Sequence, residues 1–349
     1  MISLIRPFFV APPPERVVII GAGAAGMAAA AALRERGVET TILERDARPG
    51  GRMATESFDG GLFDTGAQHF TARTPRFQRQ VDEWNRRGLL REWSRGFPGV
   101  DGVFPNDRYA RLRAVRGMAT LARAMAEGLD IRCGVEVERL LWRGTHWEAR
   151  TTTDQEHTAK AMILALPAPQ ALELLRRGNY EIPDTARAAV ERLTFAPCLG
   201  LLATLDGPSG IPHPGGVRLH GEPLVWIGDN HRKGISPGAH ALTIHAGPLF
   251  SERCWDSSDE VITRQLLAAA GEFIGAPVRA TRVVRWRHAR PLQTVQESHL
   301  TLSAEPPLVL AGDAFHGGGR VEAAILSGWA VGEALGSERK SLIADLLGL

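Results

Sequence analysis

The sequence predicts an α/β protein that opens on a dinucleotide-binding βαβ unit and has enough chain left for a second domain. Three observations carry this. Val17-Val18-Ile19-Ile20 is a short β-branched run that reads as a buried strand. Gly21, Gly23 and Gly26 follow as G-x-G-x-x-G, and Ala24 and Ala25 open an alanine-rich helical segment that stops at Gly37. Val38 to Leu43 reads as the next strand, and Glu44 closes it. The glycines permit a tight turn and a close approach to a pyrophosphate, while the helix N-terminus offers free N–H groups. Glu44 stands where an acid accepts hydrogen bonds from a ribose.

At 349 residues the chain has room for about two domains of ~150 residues. Hydrophobic content of 44% and charged content of 23% are ordinary for a globular protein. A net charge of +2 implies neither nucleic acid nor an anionic membrane surface as partner. Cys133, Cys198 and Cys254 stand far apart in no metal or redox spacing, which fits a reducing cytoplasm and no metal centre. No run approaches the ~20 apolar residues that span a bilayer. Residues 1–15, with Pro12-Pro13-Pro14, read as a disordered extension.

Beyond Glu44 and Arg45, Gly50-Gly51-Arg52-Met53 allows a tight backbone beside an arginine whose planar fork suits phosphate. The run Asp64-Thr65-Gly66-Ala67-Gln68-His69-Phe70-Thr71 reads as a loop approaching a ligand, with Gln68 able to bond a heterocycle edge. Phe77, Val81 and Trp84 share one helical face and read as core. A helix over Ala119 to Glu127 leads to a strand over Ile131 to Val137, and Ala161 to Leu166 reads as a buried strand. Leu199 to Leu205, Leu224 to Ile227 and Ala241 to Ala246 read as strands of a second domain. Val261 to Phe273 reads as an amphipathic helix with Val261, Leu266, Leu267 and Ala270 inward. Alternation puts Trp286, His288 and Arg290 on one face of a strand, toward a ligand cavity, and Arg285 and Arg287 on the other. Leu308 to Ala311 is a closing apolar strand. It ends in Gly312-Asp313, and a helix starts near Arg320-Val321-Glu322-Ala323.

The ordered pieces G-x-G-x-x-G, acid, GGRM and DTGAQHFTAR resemble the flavin-dependent amine-oxidase-like superfamily, and within it the renalases, particularly bacterial ones. The resemblance implies an α/β fold with a discontinuous Rossmann-like FAD-binding domain (16–75, 112–169 and 300–349). An α+β substrate domain on a mixed or antiparallel sheet (76–111 and 170–299) is inserted into it. It implies FAD held without a covalent bond. Its ligands would come from Gly21, Gly23, Ala24, Ala25, Gly26, Glu44, Arg45, Gly51, Arg52, Met53, Gln68, His69 and Val137 on the N-terminal side. Asp313 would bond the ribityl chain, with Arg320, Val321, Glu322 and Ala323 at the ring edge. Gln68, His69, Trp226, Asn230, His245, Trp286, His288 and Arg290 would line the substrate pocket. Trp226 reads equally as core or pocket, and His245 ends a strand, where a hydrogen-bonded core histidine is usual.

No H-E-x-x-H or G-x-S-x-G is present, and no catalytic residue stands out. What the resemblance implies is hydride transfer from a 2- or 6-dihydro isomer of NAD(P)H to flavin N5, with dioxygen reduced to hydrogen peroxide. A flavin amine oxidase, a desaturase-type oxidase and a non-catalytic binding protein are the alternatives. An aromatic content of 6% argues against an aromatic cage for an amine.

Overall fold

A computed structural model describes residues 14–99, 102–103 and 108–337. The expected N-terminal extension lies outside them, apart from Pro14 and Glu15. The first strand, Arg16–Ile20, sits inside a six-stranded sheet. Its neighbours run in the order Leu300–Ser303, Leu308–Leu310, Ala161–Leu164, Arg16–Ile20, Glu39–Glu44, Ile131–Cys133. All pairings are parallel except that of Leu300–Ser303 with Leu308–Leu310. Strands from both ends of the chain thus share one sheet.

The β-branched run has a physical cause. Val17 and Ile19 pack with Met27, Leu33 and Phe77, whereas Val18 and Ile20 pack with Leu140, Trp147 and Leu174. Both faces of the strand are covered, so both sets of alternating residues are apolar. The alanine-rich helix Ala24–Arg34 is explained by its partner, Val321–Gly336. A Cβ at Gly328 would overlap the carbonyl oxygen of Ala25, and one at Gly332 would lie 2.7 Å from that of Ala29. Small side chains on both helices let their backbones touch, which ties the end of the chain to its beginning.

A second sheet is antiparallel, in the order Gly216–Arg218, Leu224–Asp229, His240–Ala246, Phe195–Leu205, Val278–Pro291. Along Phe195–Leu205, Leu199, Leu201 and Ala203 face an outer core with Phe250, Ile262 and Leu266. Leu202 faces the opposite way and packs with Phe63 of the hairpin Thr55–Phe58/Gly61–Asp64. That inner face of the sheet meets the first domain.

Several expectations need correcting. Phe77, Val81, Trp84 and Leu90 pack in the core of the first sheet, so residues 76–90 belong with it rather than with the second domain. Helices Ala168–Arg177 and Asp184–Glu191 cover the other face of the same sheet through Ala171, Leu174, Leu175 and Val190, so the second domain starts near Phe195 rather than at 170. The strand expected over Ile131 to Val137 breaks at Gly134, whose φ of 72° turns the chain, and Val137 opens the next hairpin. On the helix Asp259–Ala269 the fully buried stripe is Ile262, Leu266 and then Ala270, at spacing four; Leu267 packs half-buried against the same core as expected, whereas Val261 does not join it.

Among the described residues no helix is long and apolar enough to cross a membrane. None of their His, Cys, Asp and Glu side chains form a group able to hold a metal. The three cysteines are free thiols.

Candidate functional site

The turn after Ile20 shows what each glycine does. Gly21 has φ +100°, and a Cβ there would stand 2.7 Å from the carbonyl oxygen of Ala165. A Cβ at Gly26 would overlap the carbonyl oxygen of Gly21. A Cβ at Gly23 would meet nothing within 4 Å. Two glycines are therefore demanded by the fold, while the third borders open space at the helix N-terminus. Gly23 is itself the N-cap of that helix, and it offers no side chain to the first-turn N–H groups. Such a cradle fits a diphosphate. Glu44 is buried and accepts from the N–H groups of Ala22 and Asp46, at 2.8 and 2.9 Å. Burial raises its pKa, and those backbone bonds oppose the rise. Arg45 turns outward to Asp46. Val135, two residues before Val137, donates to the Glu44 carbonyl at 2.8 Å.

Gly51 brings its Cβ position to 3.7 Å from the Cα of Gly23 and places Arg52 beside the turn, with Met53 buried behind it. Arg52 forms a bidentate pair with Asp313, both contacts at 2.7 Å, and donates to the Ala289 carbonyl at 3.1 Å. Two groups expected to hold the cofactor thus meet each other, with Phe195 and His288 alongside. Burial lowers the His288 pKa, aided by Arg287 and Arg52.

The loop after Asp64 is held from both domains. Ala67 donates to the Arg52 carbonyl. His245 Nε2 and Trp286 Nε1 donate to the Thr65 carbonyl at 2.9 and 3.1 Å. A carbonyl only accepts, so Nε2 carries the proton of a neutral His245; burial pushes its pKa down to about 4. Gln68 Nε2 donates to the Asp64 carbonyl, leaving Oε1 buried without a partner. Asp64 itself pairs with Lys233. Both side chains are fully buried, and Asp64 also accepts from Met118 N and Thr55 Oγ1. Burial lowers the Lys233 pKa against the pull of Asp64.

A cavity of about 900 Å³ opens beside this loop. One part of its wall is Ala67, Arg290, Gly319, Arg320 and Val321, at the N-terminus of the last helix. Another is His69, Phe97, Arg73, Arg111, Arg218 and His220. His69 packs against Trp93, Phe97 and Trp226, with centroids 5.1–6.1 Å apart. Its Nδ1 is buried without a partner. Desolvation pushes its pKa to about 3, helped by Arg111, Lys233 and Arg218. Arg320 caps the last helix without a side-chain bond, and its Nε is buried without a partner.

Of the expected pocket residues, the structure brings His69 and Arg290 to the cavity wall. Trp226 belongs to the ring cluster behind it. Asn230 faces into the sheet, where its amide donates to Thr243 and Ala241. Glu322 turns away from the helix N-terminus: its carboxylate accepts from Arg73 N, Thr74 N and Thr74 Oγ1 and so anchors the start of helix Pro75–Arg86. Ala323 is buried beneath it.

A family model of the NAD(P)-binding Rossmann-like domain matches residues 19–84, and one described as flavin containing amine oxidoreductase matches residues 88–335. The chain belongs to the flavin-containing amine oxidoreductase family. It is renalase-like: mouse renalase is 23% identical over 321 residues, covering 86% of this chain and 93% of that one. Cyclohexylamine oxidase from Brevibacterium oxydans IH-35A superposes with a TM-score of 0.67 at 15% identity, covering 93% of this chain and 99% of that one. Wild-type putrescine oxidase bound to putrescine gives 0.68 at 16%, covering 96% and 99%. These structures share the fold. The bound cofactor of this family is a flavin.

Sequence reasoning missed Arg73, Arg111 and Arg218 at the cavity and Lys233 beneath it. No spacing links them, because each arrives from a different element. Only the bare presence of Arg73 within DTGAQHFTAR hinted at one of them.

Proposed function

We propose that this protein is an oxidoreductase that binds FAD without a covalent bond and oxidises an isomeric (2- or 6-) dihydro-NAD(P) to NAD(P)⁺. The observation that carries the reading is the chemistry of the cavity. Five arginines and two histidines line it, and its described wall contains no carboxylate. The forked guanidinium groups of such a wall suit the phosphates of a dinucleotide better than they suit an alkylammonium substrate.

The flavin, when bound, supplies the hydride acceptor and passes two electrons to dioxygen, yielding hydrogen peroxide. The residues have simpler tasks. The Gly21–Gly26 turn and Glu44 would hold the dinucleotide end of the cofactor, with Arg52 and Asp313 offering it a guanidinium and a carboxylate. The N-terminus of helix Val321–Gly336 would favour negative charge on a ring bound beside it. Hydride loss releases no proton from carbon, so no strong base is required. The neutral His69 and the Arg290 guanidinium orient the nicotinamide and exclude water. Placing the donor carbon at ~3–3.5 Å from the acceptor is the main demand.

The amine oxidase reading has one observation in its favour, the ring cluster of Trp93, Phe97, Trp226 and His69. It is denser than the low aromatic content suggests. The guanidinium groups beside it still disfavour a cationic substrate. Anaerobic mixing of the FAD-loaded protein with the two dihydronicotinamide isomers decides between them. At least one isomer should bleach the visible flavin absorbance, and admitting air should restore it with formation of peroxide. Bleaching by amines but by neither isomer would reverse the assignment.

A further inference from the structure

The chain enters and leaves the second sheet along two strands that lie side by side. Phe195 opens strand Phe195–Leu205 and pairs with Pro291, the end of strand Val278–Pro291. Ala196 pairs with Arg290, and Leu292 N donates to the Thr194 carbonyl at 2.9 Å. The next paired row joins Cys198 to Trp286. Between these rows the first strand has the single residue Pro197, and the second has Arg287, His288 and Ala289. Proline has no N–H to give to a ladder, so the strand opposite it can bulge. A bulge re-aims the residues around it. Here it runs directly into Arg290, on the cavity wall.

Arg52 is the side chain that meets this bulge. Its Nη1 donates to the Ala289 carbonyl at 3.1 Å and to Asp313 Oδ2 at 2.7 Å, and its Nη2 donates to Asp313 Oδ1 at 2.7 Å. The guanidinium carbon stands 6.0 Å from the Phe195 ring centroid, and the Phe195 and His288 rings meet edge-on with centroids 6.0 Å apart. One side chain of the first domain thus touches both connecting strands. The Arg52 and Asp313 side chains are 30% and 12% exposed, and a bidentate, charge-assisted contact in such a place fixes geometry as well as charge. Three of the five guanidinium N–H groups are engaged in this way, which leaves two for a ligand. Holding a carboxylate and a carbonyl together needs a planar fork, and a lysine ammonium is a point charge on a flexible stem.

We propose that Arg52 is a positioning residue for the cavity: anchored by Asp313, it grips the Ala289 carbonyl and fixes the bulge that delivers Arg290 to the wall. This role goes beyond the phosphate contact that the Gly50-Gly51-Arg52 context suggests. One of its two readouts rests on the dihydronicotinamide reading above, and the other rests on the geometry alone.

The test compares FAD-saturated wild type with Arg52→Lys. Amide exchange across Trp286 to Arg290 should quicken about tenfold or more in the variant, as loss of a charge-assisted bond does, while exchange across Arg16 to Ile20 keeps its wild-type rate. In anaerobic flavin reduction, the concentration of dihydronicotinamide isomer giving half the limiting rate should rise about tenfold, with the limiting rate itself little changed. Such a split marks a loosened binding wall around an intact hydride acceptor. Asp313→Asn keeps an acceptor but removes the anchoring charge, and it should show the same pattern at smaller amplitude. Wild-type exchange across Trp286 to Arg290 in both variants, with only FAD affinity reduced, returns Arg52 to a plain phosphate ligand and overturns the proposal. Exchange that quickens evenly in both regions is general loosening and overturns it too. Its failure is distinct from that of the hydride reading. If no isomer reduces the wild-type flavin, the hydride donor is wrong, and local quickening of exchange in the variants still upholds the positioning role.

Discussion

The glycine turn and the arginine-lined cavity are both concave sites with donors on their walls, yet they are made in opposite ways. The turn is local: Gly21 to Gly23 link strand Arg16–Ile20 to helix Ala24–Arg34, and Gly26 lies in that helix's first turn. The cavity is assembled from loops, strand ends and a helix cap that lie as far apart as Ala67 and Val321. In the turn, backbone N–H groups and the helix dipole are what the chain offers a ligand, and Gly21 and Gly26 are needed because a Cβ there would strike backbone. In the cavity, side chains supply the polar groups of the wall, and the backbone only delivers them. A local device leaves a spacing in the sequence, and an assembled one does not.

The largest expected effect separates folding from binding within the turn. Gly26→Ala puts a Cβ into the Gly21 carbonyl and should destabilise the protein by several kcal/mol, read as a large fall in Tm. Gly23→Ala meets no protein atom, so its Tm without flavin should stay near wild type while flavin retention falls. Equal destabilisation by both substitutions would mean that the Gly23 position serves the fold and not the cofactor.

Next in size is the buried pair beneath the cavity. Lys233→Met leaves the Asp64 carboxylate without its cation and should cost about 3–5 kcal/mol in denaturant unfolding. Asp64 also holds Met118 N and the loop that carries Gln68 and His69. The variant should therefore lose order at the cavity more than at the glycine turn, visible as faster amide exchange around residues 64–70. Uniform exchange across both regions would show that the pair does not divide them.

The smallest effect is on pH. His245 and His69 are held neutral, with pKa values pushed to about 4 and about 3. In the unfolded chain both protonate near the ordinary value of ~6.5. The unfolded state therefore binds more protons below that pH, and stability falls as pH drops from about 6.5 toward 4. Above pH 7 the two rings contribute no slope. Melting of His245→Gln across this range should show a shallower acid-side decline than the wild type. An unchanged slope would assign the decline to other groups.

Much of the first domain was legible in the sequence. The run Val17–Ile20 reads as buried because both of its faces are covered. G-x-G-x-x-G, Glu44 and the closing Leu308–Asp313 segment announce one sheet built from both chain ends. Other features were hidden. Phe77 to Trp84 shows helical spacing but not which core it fills, since any apolar face accepts such a stripe. Arg52 and Asp313 each read as a cofactor ligand, and nothing in their separate contexts reveals that they reach one another. Asn230 and Glu322 carry polar groups suited to a ligand, yet tertiary packing turned the first into its own sheet and the second to the N–H groups of Arg73 and Thr74.

By itself the sequence determined the βαβ unit, the glycine turn and the acid at its edge, because a 3.6 or 2.0 period and a glycine spacing are properties of neighbouring residues. Only the tertiary structure decided the cavity. Charges on Arg73, Arg111, Arg218, Arg290 and Arg320 have no fixed spacing, and the forces that gather them are the packing of distant strands and helices. The same packing, through Gly328 and Gly332 against the alanine helix, brings the chain's last described helix back to the cradle where its first strand ends.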